Sequence, residues 1–221
     1  MQLPNGPSDA LFPHLEAAIQ SERIARYLPA ADGSQRLAFE YYCWNLVLCE
    51  AFVTPLHFAE VVCRNALNRA LIARAGGAWF QDHTLISILD QRFRDELAEA
   101  VRKERNQHGE RLTAHHIVSA LTFGFWEHLT TKRFERYLWA RGVQPVFPGA
   151  PNGHTYEEVH RAIESVRRWR NRIAHHRAIF DKRPMRKHSE ALDLIRWSCE
   201  ETATYVASIS KVPAALGLRP R

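Results

Sequence analysis

The sequence predicts an all-α fold, a bundle of about eight helices. Three observations predict it. No segment alternates apolar and polar residues as a half-buried strand would. Apolar residues recur at helical spacing through most of the chain. The ten glycines and eleven prolines are mostly clustered and leave long segments uninterrupted. With 221 residues, 46% of them hydrophobic, the chain can bury a full core. We divide it into an N-terminal arm over 1–12, a single helical domain over 13–209 and a C-terminal tail over 210–221.

The elements follow in order. A first helix is expected from Pro13 to Tyr27, facing inward through Leu15, Ile19 and Ile24, and ended by Pro29 and Asp32-Gly33. Ser34 caps a second helix to Phe52, with Leu37, Tyr41, Trp44, Leu48 and Phe52 on one face. Thr54-Pro55 reads as a restart, because proline suits a first helical position whose N–H is unpaired anyway. The third helix then runs to Ala75 and stops at Gly76-Gly77, with Trp79-Phe80 as an apolar plug. A charged amphipathic fourth helix spans 84–106, and Gly109 breaks it. Thr113 caps a fifth to His128, and a sixth covers 132–141. Residues 142–154 are rich in Gly and Pro and read as a loop. Thr155 and Glu158 form a capping box that starts a seventh helix, broken at Arg183-Pro184. An eighth runs from Ser189 to Ser208.

Several function classes are disfavoured. The start, Met1 to Pro7, has neither the basic residues nor the apolar run of a signal peptide. No run of eighteen apolar residues suggests a membrane span. Cys43, Cys49, Cys63 and Cys199 form no CxxC pair or zinc-finger spacing and read as reduced thiols of a cytoplasmic protein. Charge is local. Residues 161–187 hold ten Lys or Arg against Glu164 and Asp181, a surplus of +8 in a chain of net +6. That patch favours a polyanion such as RNA.

The patch surrounds Arg170-Asn171-Arg172-Ile173-Ala174-His175-His176. Val159, Ile163, Val166 and Ile173 make an apolar stripe, and Arg170 falls inside it. A permanent cation there needs a partner or a cleft. Arg170 and His175 lie about 140° apart on an ideal helix. They meet only through the reach of the arginine, a distorted helix end or a second copy of the chain. By residue type alone, a histidine near a helix C-terminus equally serves the helix dipole.

This stretch resembles the signature of the Abi-like (abortive infection) family of the HEPN superfamily: Arg, often followed by Asn, then His after four to six residues. Three further blocks resemble the family in the right order: Tyr41 to Asn45, Glu60 to Leu67, and Ser119 to Trp126. The likeness spans roughly 15–205. It implies a HEPN-like helical bundle with additional helices, a homodimer with two motifs facing across a cleft, and metal-independent RNA cleavage. The 2′-OH would attack the phosphorus, leaving a 2′,3′-cyclic phosphate and a 5′-OH. On that reading His175 is the general acid/base, Arg170 the phosphate clamp and Asn171 an orienting amide. His176 supplies the second acid/base role or fixes the helix end. Arg167, Arg168, Arg172 and Arg177 are the candidate RNA contacts.

Other candidates read as structure. Glu60 and Arg64 suit an intrahelical ion pair, or a polar layer beneath the motif. The doublet His115-His116 lacks an Arg-Asn neighbour. A metal site from His115, His116, His175 and His176 is the weaker reading, because adjacent histidines diverge on a helix; no metal or cofactor is expected. Trp44, Trp79, Phe123, Phe125, Trp126 and Trp197 read as core, whereas Trp169 is a candidate for base stacking or a dimer interface. The expected function is an endoribonuclease of the toxin or phage-defence kind, held in check by an antitoxin or other restraining partner. The alternatives are a non-catalytic nucleic-acid-binding module and a structural interaction protein.

Overall fold

One helix is the axis of the molecule. The computed structural model describes residues 7–221, and α3 (Gln35–Ala75) runs through it unbroken for 41 residues, about 60 Å. Ser34 starts it by accepting the Leu37 N–H, and Gly76 ends it at φ 81°, a backbone state that only glycine adopts freely. The restart expected at Thr54-Pro55 does not occur. Pro55 sits buried inside α3. It lacks the N–H that would bond one turn back, a defect of about 3 kcal/mol in an isolated helix. Burial of Ala51, Phe52, Leu56 and Ala59 around it outweighs that local cost.

Before α3 lie α1 (Phe12–Ile19) and α2 (Ser21–Ala25), expected as one helix. Gln20 takes a positive φ and divides them. Beyond α3, the plug Trp79-Phe80 forms a buried 3-10 turn, with Trp79 Nε1 donating to Asn68 Oδ1 at 2.8 Å. The expected fourth helix is two, α4 (His83–Ile88) and α5 (Gln91–His108). Between them Leu89 is extended and 1% exposed, and the Asp90 N–H donates to His128 Nε2 at 3.3 Å. Burying Leu89 wins over continuing the ladder.

The expected fifth helix is likewise α6 (Ala114–Ala120) and α7 (Phe123–His128). Thr122 separates them, its hydroxyl capping α7 and its N–H donating to Glu96 at 2.7 Å. The sixth shrinks to a 3-10 turn and α8 (Glu135–Leu138). Residues 142–154 are irregular, yet Val143, Val146 and Phe147 are core. Gly149 packs so tightly there that a Cβ would lie 2.5 Å from the Arg196 carbonyl.

The capping box at Thr155 forms, and α9 (Tyr156–Ala174) carries the motif. It ends nine residues before the expected break, in the turn described below. Then α10 (Pro184–Ser198) starts at Pro184, not Ser189, after a left-handed Arg183. An extended Cys199 separates it from α11 (Glu200–Ile209). Residues 210–221, expected as a tail, contain α12 (Val212–Leu216), whose Val212 and Ala215 are buried. The Ala215 carbonyl accepts from Trp44 Nε1 at 2.7 Å, fixing α12 to α3.

The described residues form helices joined by turns and irregular segments, with no strand among them. α9, α10, α11 and α12 pack against α3, as do α6, α7 and α8, and α7 also meets α9. α3 is long and apolar enough, by length and composition, to match a membrane-crossing helix. In this fold it is the core to which the other helices pack.

Candidate functional site

The site is built on α9. Val159, Ile163, Val166 and Trp169 face the core. Trp169 is only 4% exposed, so it offers no open face for stacking a base or meeting a partner, although its edge contributes to the lining of the neighbouring cleft. Its ring meets Phe52 of α3 edge-on at 5.4 Å. The spacing hid this: Arg170 occupies the stripe position, and the inward turn of the helix end falls on Trp169 instead.

The end of α9 is a Schellman turn. The His176 N–H bonds the Ile173 carbonyl at 2.9 Å, and the Arg177 N–H bonds the Arg172 carbonyl at 2.9 Å. His176 holds the left-handed position, φ 54°, where glycine is usual. A side chain there costs about 1–2 kcal/mol, less for the polar types that tolerate it best. His175 is the helix cap, and both imidazoles are exposed. The chain then turns back to the core. Arg172 Nε donates to the Ala178 carbonyl at 2.7 Å. Buried Asn45 accepts from the Ile179 N–H at 2.7 Å and the Phe180 N–H at 3.2 Å. Phe180 stacks on Tyr27 at 5.0 Å. Asn45 is thus the anchor that fixes the histidine turn to α3.

A cleft of about 640 Å³ opens on the solvent side of α9, towards the start of α10. Asn171, His175, Arg168, Arg172 and Arg177 all line it, with Arg161 at its far end. Lys182 and Lys187 stand on the opposite wall. Arg161, Arg172 and Arg177 have no carboxylate partner among the described residues, whereas Arg168 has Glu164 at 3.3 Å and Lys182 has Asp181 at 3.3 Å. Lys187 bonds Ser165 and Glu190, each at 2.7 Å. Burial acts against the Glu190 charge, but Lys187 and Ser165 overcome it and hold the carboxyl below its ordinary range.

Arg170 and Arg167 are not in this cleft. Arg170 Nε lies 3.4 Å from Glu60 Oε2, and its Nη1 donates to Asn171 Oδ1 at 3.2 Å. Glu60 also pairs with Arg64, so the two readings of that spacing merge: an intrahelical pair and a polar layer under the motif. Burial pushes the Arg64 guanidinium down, Glu60 pulls it back up, and neighbouring Arg170 pushes it down again. Arg167 pairs with Glu127 of α7, a bond that holds its charge more firmly than usual. Of the candidate RNA contacts, three share the cleft with His175 and one faces away.

Glu60, Glu127 and Asn45 complete the geometry; the sequence signalled Glu60 through its spacing from Arg64 and placed Asn45 in a block resembling the family, without a role, but gave no sign of Glu127. The doublet His115-His116 divides: His116 stacks on His108 at 3.8 Å and accepts the Thr113 N–H at the start of α6. Among the described residues no three His, Cys, Asp or Glu side chains converge as a metal would require. Burial pushes the Cys49 thiol up to about 11 and Cys63 higher still, so neither is a ready nucleophile. The chain matches no family model, no curated protein and no solved structure.

Proposed function

We propose that the protein is a metal-independent endoribonuclease of the abortive-infection or toxin kind, acting as a homodimer. One observation carries the reading. An exposed histidine, an amide and unpaired arginines share a single cationic cleft at the end of α9. RNA brings its own nucleophile. A histidine base takes the proton of the 2′-OH, and the 2′-oxygen bonds the phosphorus. The P–O5′ bond breaks, and a histidine acid returns a proton to the departing 5′-oxygen. No water is consumed, and the products are a 2′,3′-cyclic phosphate and a 5′-OH. Guanidinium groups stabilise the charge that builds on the phosphoryl oxygens.

His175 is the acid/base in this scheme, and Asn171 orients the phosphate. Arg168, Arg172 and Arg177 hold the strand. Arg170 reaches Glu60 and does not line the cleft that holds His175 of its own chain. That supports a site shared between two copies, with Arg170 of one serving the histidine of the other. The second imidazole is then His175 of the second copy, or His176 beside it. Such an enzyme would be kept from the host's own RNA by an antitoxin or another restraining partner.

The test is incubation with total RNA in excess EDTA, beside Arg170→Ala and His175→Ala variants shown to be folded. Cleavage to cyclic-phosphate ends by the parent, lost in both variants, is the expected result. Cleavage that survives both variants overturns the assignment. A second reading, a nucleic-acid-binding module without cleavage, is favoured by the engagement of Arg167 and Arg170 with carboxylates of their own chain. It predicts salt-sensitive RNA binding and intact RNA.

A further inference from the structure

A second cleft of about 640 Å³ lies at the other end of the axis, where the last turns of α3 meet α8 and the segment after it. Four arginines line it: Arg69 and Arg74 from α3, Arg136 from α8, and Arg141 just beyond. No carboxylate lines it. Along α3, Arg69 and Arg74 lie about 14 and 21 Å from Glu60, so this cleft is distinct from the histidine cleft.

Pairing is common elsewhere on this molecule. Ten other arginines hold a carboxylate. These four make no ion pair among the described residues, although they converge on one concavity. The nearby carboxylate is already committed. Asp82 accepts from Tyr137 Oη at 2.8 Å and from the Thr84 and Leu85 N–H groups that start α4. Tyr137 is thereby fixed, and its ring carries the Arg74 guanidinium 4.9 Å from the centroid. Stacking of this kind orients a guanidinium while leaving its N–H edges free for an anion. Pro145 and Val146 add an apolar wall.

Four like charges held in one cleft repel one another unless an anion joins them. Guanidinium is the side chain best matched to phosphate, through paired N–H donors. We propose that this arginine cleft is a phosphate-binding site for a polyphosphate-bearing ligand, either the backbone of a nucleic-acid strand or a free nucleotide. It does not depend on RNA cleavage at the histidine cleft: the endoribonuclease reading can fail and this site stand.

The experiment uses the full chain and a variant carrying Arg69→Ala, Arg74→Ala, Arg136→Ala and Arg141→Ala. All four positions are exposed, so melting is expected to change little. A second variant with lysine at the four positions keeps the charge and loses the paired donors. Two probes are compared: inorganic triphosphate by calorimetry, and a labelled oligouridylate titrated across salt concentrations. Loss of one equivalent of triphosphate in the alanine variant, kept in an Arg161→Ala/Arg177→Ala variant of the other cleft, identifies a free-nucleotide site. No triphosphate heat, with a salt slope for oligouridylate lower by roughly 2–3 in the alanine variant and restored by lysine, identifies a strand-holding site. If the alanine variant matches the parent with both probes, the proposal is overturned. The same holds if the parent binds neither probe.

Discussion

On one flank of α9, Arg167 and Arg170 reach Glu127 and Glu60. On the other, Arg161, Arg172 and Arg177 reach no carboxylate and line an open cleft with His175. The residue types are the same, and they come from one run of sequence. What differs is the helix opposite. α3 and α7 present acids to the first flank, and solvent bathes the second. An arginine met by a half-buried carboxylate is held by its own chain: Arg167 as part of the frame, Arg170 in place for the second copy that the proposed dimer site requires. An arginine left without one is available to a ligand. The surplus of +8 in this segment therefore overstates the charge that faces outward.

The largest expected effect lies on the open flank. His175→Ala should lower RNA cleavage by roughly 10²–10⁴-fold, the span typical for removing a general acid or base. Its side chain is exposed and makes no hydrogen bond among the described residues, the cap being formed by its backbone, so the melting temperature should stay with the parent. A rate reduced only in step with lost stability would make His175 part of the frame and erase the contrast between the flanks.

The paired flank should behave in the opposite way. Glu127 is 12% exposed at its side chain and meets Arg167 through two donors. Glu127→Ala strands a half-buried cation and should cost roughly 2 kcal/mol in denaturant unfolding. Adding Arg167→Met should recover much of that loss, because removing both charges is gentler than removing one. Without recovery, the pair is not what holds α7 to α9 at this point.

Much of this contrast was beyond the reach of the sequence, for physical reasons. Helix class, the capping box at Thr155 and the stop at Gly76 are local, and they were legible from propensity and cap chemistry. Pro55 was misleading because its local penalty is set against burial that only the tertiary structure supplies. Leu89 and Thr122 break helices because a buried side chain and a distant Glu96 draw them out of line, and neither partner is near in sequence. At the site, the closeness of Arg170 to the apolar stripe was legible. Glu60 was legible as part of a polar layer beneath the motif, but that it meets Arg170 itself, 110 residues later, was not. Trp169 is the sharpest case: the neighbouring arginine seemed to own the inward direction, and the bulkier ring took it.

The turn that joins the two flanks gives a smaller effect. His176 occupies a left-handed position, so His176→Gly removes strain while adding freedom to the unfolded chain. The net should be a gain of roughly 0.5–1 kcal/mol. Cleavage retained in that variant assigns the second imidazole to another copy's His175. Cleavage lost despite higher stability assigns it to His176.

The smallest effect separates charge that stabilises from charge that binds. Arg168 lies on the open flank but keeps an exposed partner, Glu164, one turn away. Such surface pairs contribute little, so Arg168→Ala should change unfolding by less than about 0.5 kcal/mol. If the cleft holds a single strand, the same change should remove one phosphate contact and lower the salt slope of RNA binding by about 0.7. Arg167→Ala should do the reverse, costing stability and leaving the slope alone, because its guanidinium is spent on Glu127. The two residues are adjacent in the chain. Finding the same pattern at both would mean that the carboxylates opposite α9 do not decide which arginines meet the ligand.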